Sequence, residues 1–244
     1  MFDRQLRLLI LDAIERVEVA LRVAISNTVG RYGPLAYLDA SFLGPGCFKS
    51  RSVGDDISNF DWFVQRNSKL LSDSSEAFAS HVKSKYDGVP PLWIATECWD
   101  WGILAAFYEL MTVEDRVVVA NLFGVPHYEI LNSWIKSLNY RRNLCAHHSR
   151  LYRKTMVTKP STKKMMRIPE LRHVRTSPIE RQDKLYTTLA VLAYLVSRFA
   201  PGSSWHGRLR TLTDSFPKIE GSSLSDYGFP DQWRDECLWN STNA

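Results

Sequence analysis

Residues 3–29, DRQLRLLILDAIERVEVALRVAISNTV, decide the fold class. Leu6, Leu9, Ile10, Ala13, Ile14, Val17, Leu21, Ala24 and Ile25 recur at helical spacing and fall on one face, leaving the other face charged. Asp3 stands where a helix cap is expected, and Gly30 where the helix should stop. A strand would need period-two alternation, and no stretch of this chain alternates convincingly. Arg7, Asp12, Glu15, Arg16 and Glu18 interrupt the apolar run, so it does not read as a secretory leader, whose core is uncharged.

Outward from that helix, residues 41–54 are rich in Gly, Pro and Ser and read as a loop. Helical patterns follow at about 56–71 and 75–86, closed off by Asp87-Gly88 and Pro90-Pro91. Three helices come next. The first, 93–111, is apolar on most sides; the second opens at Thr112 with Asp115 in capping-box spacing and ends before Gly124. The third starts at Pro126, a residue suited to the first helical position, and runs to about residue 151. Residues 152–180 lose periodicity, carry Pro160, Pro169 and Pro178, and read as a long basic loop. A strong helix at 182–199 puts Leu185, Leu189, Leu192, Val196 and Phe199 on one face, and a shorter one follows at 204–216. The tail, about 217–244, holds Gly228-Phe229-Pro230 and Trp233, a composition that predicts docking by aromatics. The expectation is an all-α protein, one helix-bundle domain over 1–244 with additional helices and a basic loop.

Composition narrows the class. A chain of 244 residues with 45% hydrophobic residues can bury a core and is not disordered. Eight Trp and ten Tyr predict a core rich in aromatic packing. The longest apolar runs, such as 185–197, are too short to span a bilayer, which predicts no membrane segment. Cys47, Cys98, Cys145 and Cys237 are scattered without CxxC spacing, so free buried thiols in a reducing cytoplasm are expected rather than a disulfide framework or a zinc site. The net charge of +5 is unevenly spread. Residues 141–184 hold 13 Lys and Arg against 3 Asp and Glu, which leaves the remainder of the chain at −5. Such clustering suits an anionic partner, most commonly nucleic acid.

The chemistry-bearing stretch is 140–150, YRRNLCAHHSR. On the third helix the apolar stripe runs through Leu131, Trp134, Leu138 and Cys145. Asn143 and His147, four residues apart, share a face turned away from that stripe. Arg142 sits at the stripe's edge, from which its long side chain can reach the same surface. A permanent cation, an amide and an imidazole thus come within reach of one another, and imidazoles exchange protons near neutrality. The same residues also suit a plain helix end, where His147, His148, Arg141 and Arg150 would complement the macrodipole. Cys145, His147 and His148 lack a fourth ligand for zinc, so no metal site is expected. Gly44-Pro45-Gly46 has no following Lys-Ser/Thr and is not a phosphate loop.

Arg142-Asn143 followed by His147 resembles the Arg-Asn-x-x-x-His signature of HEPN ribonucleases. Further ordered blocks resemble the bacterial abortive-infection (Abi) family of HEPN type. They are Phe2-Asp3-Arg4-Gln5-Leu6-Arg7 with Ile14-Glu15-Arg16-Val17-Glu18 and Leu21-Arg22; Trp93-Ile94-Ala95-Thr96-Glu97; Ser133-Trp134-Ile135 through Arg150-Leu151; and Tyr227-Gly228-Phe229-Pro230 with Trp233. The position of Asp100-Trp101-Gly102 differs from the family pattern, and members of the family usually carry further helices before the block that starts here at Phe2, so a shortened form or an internal start is expected.

The resemblance implies a HEPN-like bundle and a phage-defence toxin that cleaves RNA without a metal ion or cofactor. It implies a homodimer too, because two copies of the motif usually meet and this chain has one. Arg142 would stabilise charge on the phosphate, His147 would move protons and Asn143 would orient or bind. Glu97 would support them from the preceding helix or simply form a structural pair with an Arg, Arg141 and His148 would extend the phosphate-binding surface, and a structured non-coding RNA is an implied partner. The clustered charge adds that Arg150, Arg153, Lys154, Lys159, Lys163, Lys164 and Arg167 either bind RNA or form a solvated loop that touches nothing. The alternative is a non-cleaving RNA-bound scaffold, or a regulator, that senses infection.

Overall fold

The computed structural model describes residues 1–51, 56–75 and 88–240. In chain order its α-helices are α1 Phe2–Gly30, α2 Asn59–Asp73, α3 Leu92–Cys98, α4 Trp101–Leu110, α5 Val113–Leu122, α6 Tyr128–Ala146, α7 Arg172–Thr176, α8 Ile179–Gln182, α9 Leu185–Phe199, α10 Trp205–Asp214 and α11 Cys237–Asn240. No strand occurs among the described residues beyond one isolated bridge, Ser50 to Ser58, so the protein is all-α. The helical pattern at 75–86 lies, but for its first residue, outside the described residues. Among those described, no helix is long and apolar enough to cross a membrane. The chain divides into two compact units, one of Met1–Glu18 with the chain from Phe123 on, the other Val19–Leu122. Helix α1 contributes to both: its whole apolar stripe, from Leu6 to Val29, is buried.

In the unit of residues 19–122, α2 opens on Ser58, whose hydroxyl accepts the Asp61 N–H at 3.0 Å. The helix expected over 93–111 is interrupted. α3 stops at Cys98, and the Asp100 carboxylate caps α4 by accepting the Ile103 N–H at 2.9 Å while pairing with Arg66 at 2.6 Å. Short acidic side chains compete for backbone N–H groups in this way, and the apolar surroundings of Asp100 conceal it. The break turns Trp99 inward, where its ring lies 5.4 Å from Phe63 and 4.9 Å from Phe107, with its N–H on the Asn67 side-chain oxygen at 2.7 Å. Gly44 lies against the end of α4: a Cβ there would fall 2.8 Å from the Met111 carbonyl oxygen. Thr112 caps α5 through the Asp115 N–H at 3.1 Å, and the buried Asp115 carboxylate meets Arg31 at 2.5 Å.

The other unit is built around α9, whose residues from Leu185 to Val196 are buried throughout and which packs against α6, α10 and α11. Trp205 at the head of α10 donates its indole N–H to the Leu9 carbonyl at 2.8 Å, and Arg208 pairs with Asp12. Residues 152–180, aperiodic in sequence, are laid down as 3₁₀ turns and short helices. Met165, Ile168, Leu171 and Val174 are buried there. The segment is fastened to α6 by Ser161 N–H to the Ser133 hydroxyl (2.8 Å) and by the Trp134 indole to the Ser161 carbonyl (3.0 Å). Such turns have no 3.6-residue period to read. Past α10, Tyr227, Phe229, Trp233 and Trp239 are buried, with ring centroids 5.1 Å apart for both Phe229–Trp233 and Trp233–Trp239.

Beneath that tail His173 is buried, with its Nε2 2.8 Å from the Tyr186 hydroxyl, which also accepts the Trp239 indole N–H at 2.9 Å. Burial pushes the His173 imidazole down to about 4, against the opposing pull of the Glu170 carbonyl. The unfolded chain, with an ordinary value of 6.5, takes up this proton first as pH falls. Stability is therefore full above about pH 6.5 and declines through the interval down to about pH 4, by on the order of 3 kcal/mol. Urea unfolding at pH 7 and pH 4.5 should show that decline in the parent and a shallower one in His173→Gln. Equal slopes in both would refute the assignment.

Candidate active site

The buried stripe of α6 runs through Leu131, Trp134, Leu138, Arg141 and Cys145, so Arg142 and Asn143 are left on its exposed face. The helix ends at Ala146, about five residues earlier than its sequence pattern suggests. His147 occupies the C-cap at φ −86°, ψ 17°, with its N–H on the Asn143 carbonyl at 2.9 Å. His148 takes a left-handed conformation, φ 55°, and reverses the chain. The Ser149 N–H returns to the Leu144 carbonyl (2.9 Å) and the His148 N–H to the Cys145 carbonyl (3.2 Å). This is the Schellman pattern, normally built on Gly and here built on a histidine.

Arg142, Asn143, His147, His148 and Arg150 are all exposed at this end of α6. The Arg142 guanidinium lies 3.4 Å from the Asn143 side-chain oxygen, and among the described residues no carboxylate pairs with it. Asn143 thus touches Arg142 by its side chain and His147 by its backbone. The arrangement leaves a guanidinium able to meet an anion, and the His147 imidazole at the helix end is likewise open to solvent.

Other expected residues have different surroundings. Arg141 does not extend this surface: it is fully buried on the stripe, with one guanidinium nitrogen on the Met156 sulfur and Nε and Nη1 without partners among the described residues. Burial lowers it to about 10. Cys145 beside it is buried too, and its thiol is pushed up to about 11. Arg153 is engaged by Asp226 at 2.9 Å and by the Gly221 carbonyl, and Lys159 by Asp183. Arg150, Lys154, Lys163, Lys164 and Arg167 have no carboxylate partner among the described residues. Glu97 belongs to the other unit, where its carboxylate lies 3.6 Å from Arg22 and is exposed. Among the described residues no three of His, Cys, Asp or Glu gather so as to hold a metal ion.

Sequence reasoning missed what holds the turn. Asp3 does not cap α1; it accepts the Leu151 N–H at 2.8 Å, and Arg7 reaches the Ser149 carbonyl at 3.3 Å. It also missed a cavity of about 310 Å³ in the unit of residues 19–122, lined in part by Lys49, Arg51, Asn59, Glu109 and Arg116.

A family profile described as Abi-like protein matches residues 1–153, which takes in α1 to α6 and the whole of the turn after Ala146. No curated protein and no solved structure matches the chain.

Proposed function

Because the chain belongs to the Abi-like protein family, a bacterial abortive-infection family, we propose that it acts in phage defence by cutting RNA at the Arg142–Asn143–His147 end of α6. The observation that carries this reading is the exposed Arg142 guanidinium, without a carboxylate partner among the described residues, beside the Asn143 side chain at the helix end where His147 is open to solvent. The Arg-Asn-x-x-x-His spacing supports a mechanism of HEPN type.

RNA carries its own nucleophile. The 2′-oxygen loses its proton to a base, bonds to phosphorus, and the 5′-oxygen leaves with a proton from an acid. The products are a 2′,3′-cyclic phosphate and a 5′-hydroxyl. Negative charge grows on the non-bridging oxygens, where a guanidinium can engage two of them at once. Two proton-transfer groups are needed and each chain has one His147, so the reading includes a homodimer in which each copy supplies one imidazole. Arg150, Lys154, Lys163, Lys164 and Arg167, without carboxylate partners among the described residues, supply further phosphate contacts.

Incubating the purified protein with single-stranded RNA tests the reading. The expected products end in cyclic phosphate, and light scattering should give a mass of two chains. RNA bound tightly but left intact contradicts cleavage, and a fully active monomer contradicts the shared site.

A further inference from the structure

Three separate parts of the chain meet on the backbone just after His147. The Asp3 carboxylate, in the first turn of α1, receives the Leu151 N–H at 2.8 Å, the Tyr227 hydroxyl at 2.7 Å and the Arg7 guanidinium at 3.4 Å. Arg7 extends the same link to the Ser149 carbonyl at 3.3 Å. Ser149 and Leu151 are thereby fixed through backbone groups, independently of their side chains. The next residue is held as well: the Tyr152 hydroxyl lies 2.7 Å from Asp226 and 2.8 Å from Ser222, and its ring centroid is 5.5 Å from that of Tyr227.

The turn needs such fixing. His148 adopts a left-handed conformation that a side chain with Cβ disfavours, so its own backbone preference does not hold the reversal in place. Asp3 and Arg7 are also poorly placed for ordinary surface pairing, since their side chains are only 24% and 15% exposed. Burial and the neighbouring Asp3 both push the Tyr227 phenol upward, so it stays protonated and donates to the carboxylate.

We propose that Asp3 is a positioning residue for the RNA-cleaving site: with Arg7 and Tyr227 it locks the turn at Ser149 and Leu151 and so fixes where the His147 and His148 imidazoles sit. The proposal rests on the RNA-cleaving reading above. Asp3 touches no substrate and acts through the turn. Small displacements of a proton-transferring group lower the rate of the chemical step, whereas binding along the basic segment is unaffected.

The test compares the parent with Asp3→Ala, Asp3→Asn, Tyr227→Phe and His147→Ala, measuring kcat and KM for RNA cleavage and amide hydrogen exchange. Asp3→Ala should lose roughly tenfold or more in kcat with KM within about twofold. Exchange should quicken at residues 147–151 but not in α9. Asp3→Asn keeps an oxygen for the Leu151 N–H and should recover most of the rate. If Asp3→Ala does not fold, Tyr227→Phe, which removes one donor from the carboxylate, should show the same pattern in smaller measure. A folded Asp3→Ala with the parent kcat, or exchange that quickens everywhere in step with the loss of rate, overturns the proposal. Cutting by the parent that persists in His147→Ala is a different result: it overturns the RNA-cleaving reading, and the positioning role falls with it.

Discussion

His147→Ala is expected to slow RNA cleavage by about 100-fold or more while leaving the fold intact. The side chain is exposed and has no hydrogen-bond partner among the described residues, and its backbone N–H, which reaches the Asn143 carbonyl, survives in alanine. What disappears is the imidazole proposed to transfer protons. In a dimer with two such groups at one site, the substitution removes acid and base together. Arg142→Ala should cost a comparable factor, because a developing phosphorane charge would lose its paired donor. Arg142→Lys should recover little of it: an ammonium is a point charge on a flexible stem, and the planar fork is what meets two oxygens at once. Single-turnover rates at saturating protein, with circular dichroism for folding, decide the matter. A rate within about threefold of the parent in either alanine variant would remove that residue from the chemistry.

The all-α class was legible because burial in this chain mostly follows helical periodicity. α1 is the clearest case: the residues picked out by spacing, from Leu6 to Ile25, are buried. Where a local polar group overrode periodicity, the sequence misled. Asp100 sits in an apolar run and reads as an intruder on one long helix, yet it caps a second helix. The end of α6 was illegible for a related reason, since neither Gly nor Asn marks the left-handed residue and His148 fills that place. Within the candidate site, Arg142, Asn143 and His147 could be found from their spacing. The fate of Arg141 could have been found too, because Trp134, Leu138, Arg141 and Cys145 are spaced four, three and four apart, which puts that arginine on the buried stripe. Asp3 could not. A carboxylate at a helix start looks like a cap, and no local pattern shows that it binds a backbone N–H 148 residues away.

The second large effect concerns the substrate. If the nucleophile is the 2′-oxygen of RNA, removing that oxygen at the cleaved position leaves nothing to attack phosphorus, and no rearrangement of Arg142 or His147 can compensate. A 2′-deoxy substitution there should abolish cutting at that bond while neighbouring ribonucleotides remain sensitive, because the phosphates along the strand are unchanged. The same reaction should proceed in EDTA if, as proposed, proton transfer and charge stabilisation come from side chains. The most direct measurement is therefore one assay on a single-stranded RNA with a mapped cleavage site, run with and without EDTA, beside the same strand carrying a single deoxynucleotide at that site. The expected result is an unchanged rate in EDTA, a 2′,3′-cyclic phosphate on the upstream product, and no cutting at the deoxy position. Loss of cutting in EDTA, or cutting of the deoxy strand at the parent rate, would contradict the 2′-hydroxyl mechanism.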